Sequence, residues 1–391
     1  MMKKCRVDKK CGACRYLTVP YEEQLIAKKK KVQGIFPKYT VEDVLGMKDP
    51  YHYRHKIYAV FGTDFKGHVH AGLYEENSHK PVFTDACLIQ DIQANAILKD
   101  IAFIAEKCEI DTYDEDSSTG TLRYAYLRVS HATKKVLVTI VIGSKQLPRQ
   151  KAFVTQLLEK HPEIETIVLN FNHGHNSMVL GPKDKILYGK GYILDTLCGL
   201  QFSISAHSFY QVNPVQTEVL YSTAMQMARL NRKDTVLDMC CGIGTISLLA
   251  AKTASFVLGV EINPEAIKDA KYNARRNHLE NKTDFIAMDA QEFITHLAEV
   301  PDVVFLDPPR SGLSEAFLHT LGDLGPKKVV YISCNPETQA RDVQILKEYR
   351  YRIEKIQPVD MFPFTSHVET VVLLSHKKAD SYIHIDVEFG E

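Results

Sequence analysis

No stretch of this sequence approaches the roughly 18 apolar residues that a bilayer-spanning helix requires, and the opening MMKKCRVDKK lacks the apolar core of a signal peptide. A membrane association is therefore not expected, and the expected setting is the cytoplasm. The chain also lacks net charge: 48 Lys and Arg balance 48 Asp and Glu, so the total gives no pointer to nucleic acid. Internal repeats and low-complexity linkers are absent too. What remains is an ordinary globular composition, 45% hydrophobic and 25% charged over 391 residues, enough for two or three domains with their own cores.

The charge is unevenly spread. Residues 1–70 carry 15 basic side chains against 7 acidic ones, including the run Lys28 to Lys31, whereas residues 380–391 carry four acids and no Lys or Arg. A local basic region can attract phosphates even where the total cancels, or it can be a solvated helix face. Three of the nine cysteines, Cys5, Cys11 and Cys14, fall within ten residues. In a chain without a signal peptide such a cluster reads as metal or cluster ligation before disulfides.

The hydrophobic rhythm divides the chain. The cysteine segment and a basic helix from about Pro20 to Ile35 occupy residues 1–90. Between 50 and 205 short alternating runs (KIYAVFG, HVHAGLY, LRYAYLRVS, KVLVTIVIG, TIVLNFN, QFSIS), interrupted by one helix near Asp91 to Cys108, predict a strand-rich, antiparallel α+β domain containing Cys87. Over 206–378 strands and helices alternate. That predicts an α/β, Rossmann-like, doubly wound and mostly parallel sheet whose last strand is antiparallel. Residues 379–391 form an acidic tail.

In Val236-Leu-Asp-Met-Cys-Cys-Gly-Ile-Gly-Thr245 a strand runs through a glycine turn into a helix, and Gly242 and Gly244 allow close approach of a ligand at the carboxyl edge of the sheet. The third glycine of a nicotinamide site is missing, with Ser247 in its place. The next strand ends in Glu261, placed to accept from ribose hydroxyls, and the third ends in Asp289, a partner for an adenine amino group or a plain turn residue. Together these predict an adenosine-containing cofactor. Upstream, Asn213 and Pro214 start a helix, with Asn213 a cap or a ligand, and Gln211 is hard to explain by packing.

The chemistry sits further on. Asp307-Pro-Pro-Arg310 and Ser333-Cys334-Asn335-Pro336 end consecutive strands of a parallel sheet and therefore share one edge. If the final strand is antiparallel, Glu369 begins at the same edge. A buried cysteine and a paired carboxylate would be the structural explanations. As a set, the three groups suit methylation at C5 of uracil: Cys334 adds to C6, and Glu369 removes the C5 proton. Asp307 accepts from N3–H or orients the cofactor, and Arg310 meets a phosphate or forms a surface salt bridge.

With C-x5-C-G-x-C at Cys5, Cys11 and Cys14, then FYQVN, CGIGT, GVE, DPPRSG, SCNP and HVETVVLL in order, the chain resembles the RNA uracil-5-methyltransferases, in particular the bacterial enzymes of 23S ribosomal RNA. The resemblance implies S-adenosylmethionine held by Gln211, Glu261 and Asp307, with Cys240 beside it where many relatives carry an aromatic residue. It implies Cys334 as nucleophile, Glu369 as base, and a [4Fe–4S] cluster on Cys5, Cys11, Cys14 and Cys87. Spacing alone allows zinc equally. The partner implied is RNA, and a monomer is expected. Many ribosomal relatives begin with a small RNA-gripping TRAM domain for which residues 1–4 leave no room, so RNA binding is expected to rest on the cysteine segment, the strand-rich domain and the basic helix. A tRNA T-loop uridine is the competing substrate; the tRNA relatives also lack that domain but typically lack the cysteines. An amino-methyltransferase, suggested by D-P-P, and a non-catalytic iron–sulfur RNA-binding protein are the alternatives of other kinds.

Overall fold

The computed structural model describes residues 3–174 and 178–377; the acidic segment expected at 379–391 lies outside them. After a short helix α1 (Asp8–Cys11), helix α2 (Tyr21–Ile35) starts behind Pro20, which occupies the cap position. Its buried stripe, Gln24, Lys28 and Val32, repeats every four residues and so lies on one helical face. Two of the three are polar, and each is satisfied by the segment between the last two strands. The Gln24 side chain accepts from the Phe364 N–H at 3.0 Å, and the Lys28 ammonium donates to Asp360 at 2.5 Å and to the Phe362 carbonyl at 3.0 Å.

Three lysines of the basic run, Lys28, Lys29 and Lys31, are paired. Lys28 is buried against Asp360, Lys29 pairs with Asp43 and Lys31 with Glu337. Val32 and Phe36 enter a core that contains Leu237, Val329 and Tyr331, so this helix covers one face of the C-terminal sheet.

The central domain contains β1 (Lys56–Thr63), β2 (Val69–Tyr74), β3 (Pro81–Phe83), helix α3 (Ile92–Lys107), β4 (Leu122–Val129), β5 (Val136–Ile142), helix α4 (Gln150–Lys160), β6 (Ile164–Phe171) and β7 (Lys183–Tyr188). Its sheet has the order β3-β2-β1-β4-β5-β6-β7. The expectation of an antiparallel sheet needs correction at one point. β5 and β6 pair in parallel, because α4 carries the chain back between them. That helix went unread because its sequence, QKAFVTQLLEK, buries only Phe153 and Leu157. A two-stranded ribbon, β8 (Tyr192–Leu197) and β9 (Leu200–Ser205), leads out of the domain.

Helix α5 (Pro214–Ala228) opens the C-terminal unit. There follow β10 (Thr235–Met239), α6 (Thr245–Ala251), β11 (Phe256–Glu261), α7 (Pro264–Arg276), β12 (Thr283–Ala287), α8 (Ala290–Thr295), β13 (Val303–Leu306), α9 (Glu315–Leu324), β14 (Lys328–Ser333), α10 (Pro336–Glu348), β15 (Tyr351–Val359) and β16 (Glu369–His376). The sheet order is β12-β11-β10-β13-β14-β16-β15. The first five of these strands pair in parallel, and apolar cores on both faces explain their unbroken hydrophobic runs. The doubly wound α/β fold and its antiparallel last strand are both present. β16 returns from the opposite direction and inserts between β14 and β15. Among the described residues no helix is long and apolar enough to cross a membrane.

Candidate active site

The pairing of β14 with β16 sets the geometry. Ser333 lies opposite Thr370 in the antiparallel register, so the next residue of one strand, Cys334, meets the preceding residue of the other, Glu369. β13 ends beside β14 in parallel, with Leu306 opposite Tyr331, which brings Asp307 to the same edge. The two turns are stitched together. The Asn335 N–H donates to the Ser333 hydroxyl at 3.0 Å, while the Asn335 side chain and the Thr338 hydroxyl donate to the Arg310 carbonyl at 3.1 and 3.2 Å. Asn335 therefore spends its amide on the neighbouring turn rather than capping α10, which Pro336 begins.

These ends open into a cavity of about 480 Å³ lined by Cys334, Glu369, Asp307 and Arg310 on one side and by Gln211, Cys240, Gly242 and Glu261 on the other. Glu369 is 4% exposed, and desolvation pushes its carboxyl up to about 8, with Asp307 adding to the rise and the Arg310 guanidinium opposing it. Desolvation likewise lifts Asp307 to about 7. The Cys334 thiol is pushed up to about 11 by burial and then by Glu369, against the opposing pull of Arg310. At neutral pH the empty cavity holds Glu369 mostly protonated and Cys334 as a thiol. Arg310 is exposed, lines the cavity and, among the described residues, forms no ion pair.

The other half is built by the glycine turn. Cys240 (φ 64°), Gly242 (φ 54°) and Gly244 (φ 83°) are all left-handed. The two glycines have different tasks. A Cβ on Gly244 would come within 3.1 Å of the Phe285 ring, whereas one on Gly242 would meet nothing within 4 Å and would project into open space. Gly244 is thus a packing requirement that shapes the turn without lining the cavity. Glu261 holds the turn, accepting from the Gly242 N–H at 3.2 Å and the Asn263 N–H at 3.0 Å. Asp289 does not line the cavity. One of its oxygens caps α8 by accepting from the Gln291 and Glu292 N–H groups. Asn213 is a cap and a strut: it accepts from the Gln216 N–H and donates to the Met361 carbonyl.

Three residues that line the cavity, and one buried in the strand that leads to it, carry little or no signal in the sequence. Tyr221, on the buried face of α5, lines the cavity together with Gln211 and Thr245. Asp238, two residues before Cys240, is buried and lifted to about 7 by desolvation; its Oδ2 accepts from the Ser247 hydroxyl and its Oδ1 has no partner. Lys56 and Phe209 also line the cavity. A charged residue inside a predicted strand was the available signal for Asp238 and Lys56, and for Tyr221 there was none.

The four cysteines read as ligands converge. Cys5, Cys11, Cys14 and Cys87 line a separate cavity of about 190 Å³, bounded also by Arg54, Leu17 and Tyr74. Among the described residues no three His, Cys, Asp or Glu side chains are gathered tightly enough to hold a single metal ion. Cys108, Cys198 and Cys241 lie outside this cavity.

The family model for tRNA (uracil-5-)-methyltransferase matches residues 20–377. The chain belongs to that family. Its curated relatives include uncharacterized RNA methyltransferases of Bacillus cereus, 41% identical over 95% of this chain and 82% of the relative, and of Clostridium acetobutylicum, 40% identical over 95% and 82%. Among solved structures the chain resembles the Pyrococcus abyssi tRNA (uracil-54, C5)-methyltransferase in complex with S-adenosyl-L-homocysteine, with a TM-score of 0.76 and 29% identity over 91% of this chain and 83% of that one. As an adenosylmethionine-dependent RNA uracil-5-methyltransferase by family, the chain carries its distinctive turns inside the matched span, with Cys5, Cys11 and Cys14 outside it.

The raised carboxyls have a consequence for stability. Glu369 binds its proton more tightly folded than unfolded. The native state therefore loses stability as pH rises from the unfolded value, 4.5, through about 8, and the loss then levels off. Glu369→Gln removes this term. Its thermal midpoint should match wild type near pH 5 and exceed it by about 4 °C or more at pH 9, the effect of roughly 1–2 kcal/mol on a domain of this size. An offset that is the same at both pH values would contradict the assignment.

Proposed function

We propose that this chain methylates C5 of a uridine in 23S ribosomal RNA, with Cys334 as covalent nucleophile and Glu369 as general base. The observation that carries the reading is the β14–β16 register, which sets a thiol and a desolvated carboxyl side by side over one cavity together with Asp307.

C5 of uracil is a weak nucleophile. Addition of the Cys334 thiolate to C6 forms a C–S bond and moves the ring electrons toward O4, so that C5 becomes enolate-like. Glu261 and the glycine turn would hold S-adenosylmethionine, which would supply the methyl group that C5 takes up and leave as S-adenosylhomocysteine. Glu369, as carboxylate, then removes the proton from C5; the electron pair released reforms the C5–C6 double bond and expels the Cys334 sulfur. Arg310 favours both anions, since its charge lowers the affinity of Cys334 and of Glu369 for protons. Asp307 accepts from uracil N3–H or orients the cofactor, and Gln211 and Tyr221 line the same space. A base inside folded RNA must leave its stack to reach Cys334, which favours a loop or bulge as target.

Two observations bear on which RNA is used. The four-cysteine cavity favours ribosomal RNA, because tRNA enzymes of the family typically lack these cysteines. The likeness to a tRNA (uracil-54, C5)-methyltransferase favours the tRNA T-loop as the second reading. The cavity itself suits a [4Fe–4S] cluster on Cys5, Cys11, Cys14 and Cys87: about 190 Å³ is more room than one ion needs when its thiolate bonds are about 2.3 Å long. Its part here is to tie the N-terminal segment to the strand-rich domain, since methyl transfer consumes no electron.

Incubated with transcripts of 23S ribosomal RNA and of tRNA, the wild-type protein should leave 5-methyluridine in the ribosomal RNA. Cys334→Ala should leave none, and Glu369→Gln should slow turnover by about 10²–10⁴-fold while an RNA–protein adduct persists on a denaturing gel. Product from Cys334→Ala would overturn the mechanism; product in tRNA alone would move the substrate to the second reading. Protein purified without oxygen should contain iron and sulfide, both lost in Cys87→Ser, and zinc found in their place would refute the cluster.

A further inference from the structure

Next to the active-site cavity lies a second one of about 610 Å³, and Lys56 and Phe209 line both. Its floor breaks a packing rule. In the β1–β4 pairing Lys56 stands directly opposite Arg128, two like charges on neighbouring strands, an arrangement that costs stability. Neither is neutralised. Among the described residues no carboxylate pairs with either one, although Lys28, Lys29 and Lys31 of the basic helix all have such partners.

Arg128 is 4% exposed, and its Nη2 donates only to the Ala206 and Ser208 carbonyls. Among the described residues its Nε has no partner, and its guanidinium lies 5.2 Å from the Tyr126 ring. The Lys56 ammonium sits 4.9 Å over the Phe209 ring, a residue that is itself 61% exposed. Burial and the two nearby arginines, Arg128 and Arg54, pull Lys56 down to about 7. His207, on the cavity wall, is already paired with Asp184 at 3.0 Å. Buried cations without counter-ions are rare unless a ligand supplies the charge.

The geometry points to Lys56 and Arg128 as the binding site for an RNA phosphodiester immediately beside the flipped uridine, with the exposed Phe209 ring under the adjoining sugar or base. This rests on the functional reading above. Because Lys56 touches both cavities, a phosphate held there fixes the distance from the RNA backbone to Cys334. It also neutralises the like-charge pair only when substrate is present, so substrate binding relieves a strain that the free protein carries.

Lys56→Met tests it, since it keeps the aliphatic stem and removes the charge; Lys56→Arg is the rescue. On the RNA that wild type methylates, Lys56→Met should weaken binding about tenfold and flatten the salt dependence by the roughly 0.7 that one phosphate contact contributes. Lys56→Arg should restore both. Affinity for S-adenosylhomocysteine should be unchanged, and the thermal midpoint of the RNA-free protein should rise, which loss of a merely structural lysine would not produce. In a synthetic hairpin of the target, a neutral methylphosphonate at one phosphate beside the uridine should weaken wild type and leave Lys56→Met unaffected. Unchanged RNA affinity and salt slope in Lys56→Met, with wild type active, would sink the subsite alone. Weakened S-adenosylhomocysteine binding would assign the lysine to the cofactor carboxylate and overturn the proposal. A wild-type protein that makes no 5-methyluridine in either RNA would sink the functional reading, and the subsite with it.

Discussion

The antiparallel insertion of β16 between β14 and β15 is the constraint on which the site depends. A wholly parallel sheet gathers strand carboxyl ends at one edge, and here it gathers the turns at Cys240, Asp307 and Cys334. A strand that runs the other way contributes its first residue to the same edge, and that residue is Glu369. Because side chains alternate along a strand, a slip of one residue would turn Glu369 to the other face. The register is held by more than its own ladder. The segment leading into β16 is pinned by Lys28 on Asp360 and by Gln24 on Phe364, both from a helix more than 300 residues earlier. Tyr21 adds a third strut, donating to Asp360 at 2.8 Å. The N-terminal helix thus serves that edge as a brace.

The cavity is electrostatically unfinished. Asp307 and Glu369 on its wall, and Asp238 in β10, all have carboxyls raised by desolvation; Lys56, which also lines it, stands opposite Arg128 of the adjoining cavity, and among the described residues no carboxylate pairs with either cation. Acids that hold protons too tightly and bases that hold them too loosely cost folding stability, and natural structures keep such groups chiefly where a ligand uses them. The acids face the half of the site built by the glycine turn and the cysteine turn. The cations belong to β1 and β4 of the central domain. That separation of sign fits a cationic methyl donor on one side and an anionic polymer on the other.

Much of this was legible before any coordinates. The switch from short alternating runs to strand–helix alternation located the doubly wound sheet, because buried parallel strands read as continuous apolar segments. The turns at Gly242, Asp307 and Cys334 could be placed at one edge because topology alone decides that. Other features were illegible for physical reasons. Helix α4 is half exposed and buries too little to stamp a period on its sequence. The basic run could not be divided into paired and unpaired lysines, since Asp360 and Glu337 lie more than 300 residues away in sequence. Lys56 opposite Arg128 is a register fact, invisible until β1 and β4 are paired. Asp289, read as a partner for an adenine amino group or as a plain turn residue, caps α8 with one oxygen, an ambiguity inherent in an aspartate that both ends a strand and begins a helix.

The central claim is that Cys334 forms a covalent bond to uracil C6 during methyl transfer, and RNA carrying 5-fluorouridine tests it most directly. Fluorine at C5 cannot leave as a proton, so Glu369 has nothing to remove and the sulfur cannot be expelled. With adenosylmethionine present, a protein–RNA adduct that survives denaturation should accumulate, its mass should include the transferred methyl group, and the attachment should map to Cys334. If folded, cofactor-binding protein that methylates the unmodified RNA gives no adduct with its fluorinated form, the covalent account is contradicted.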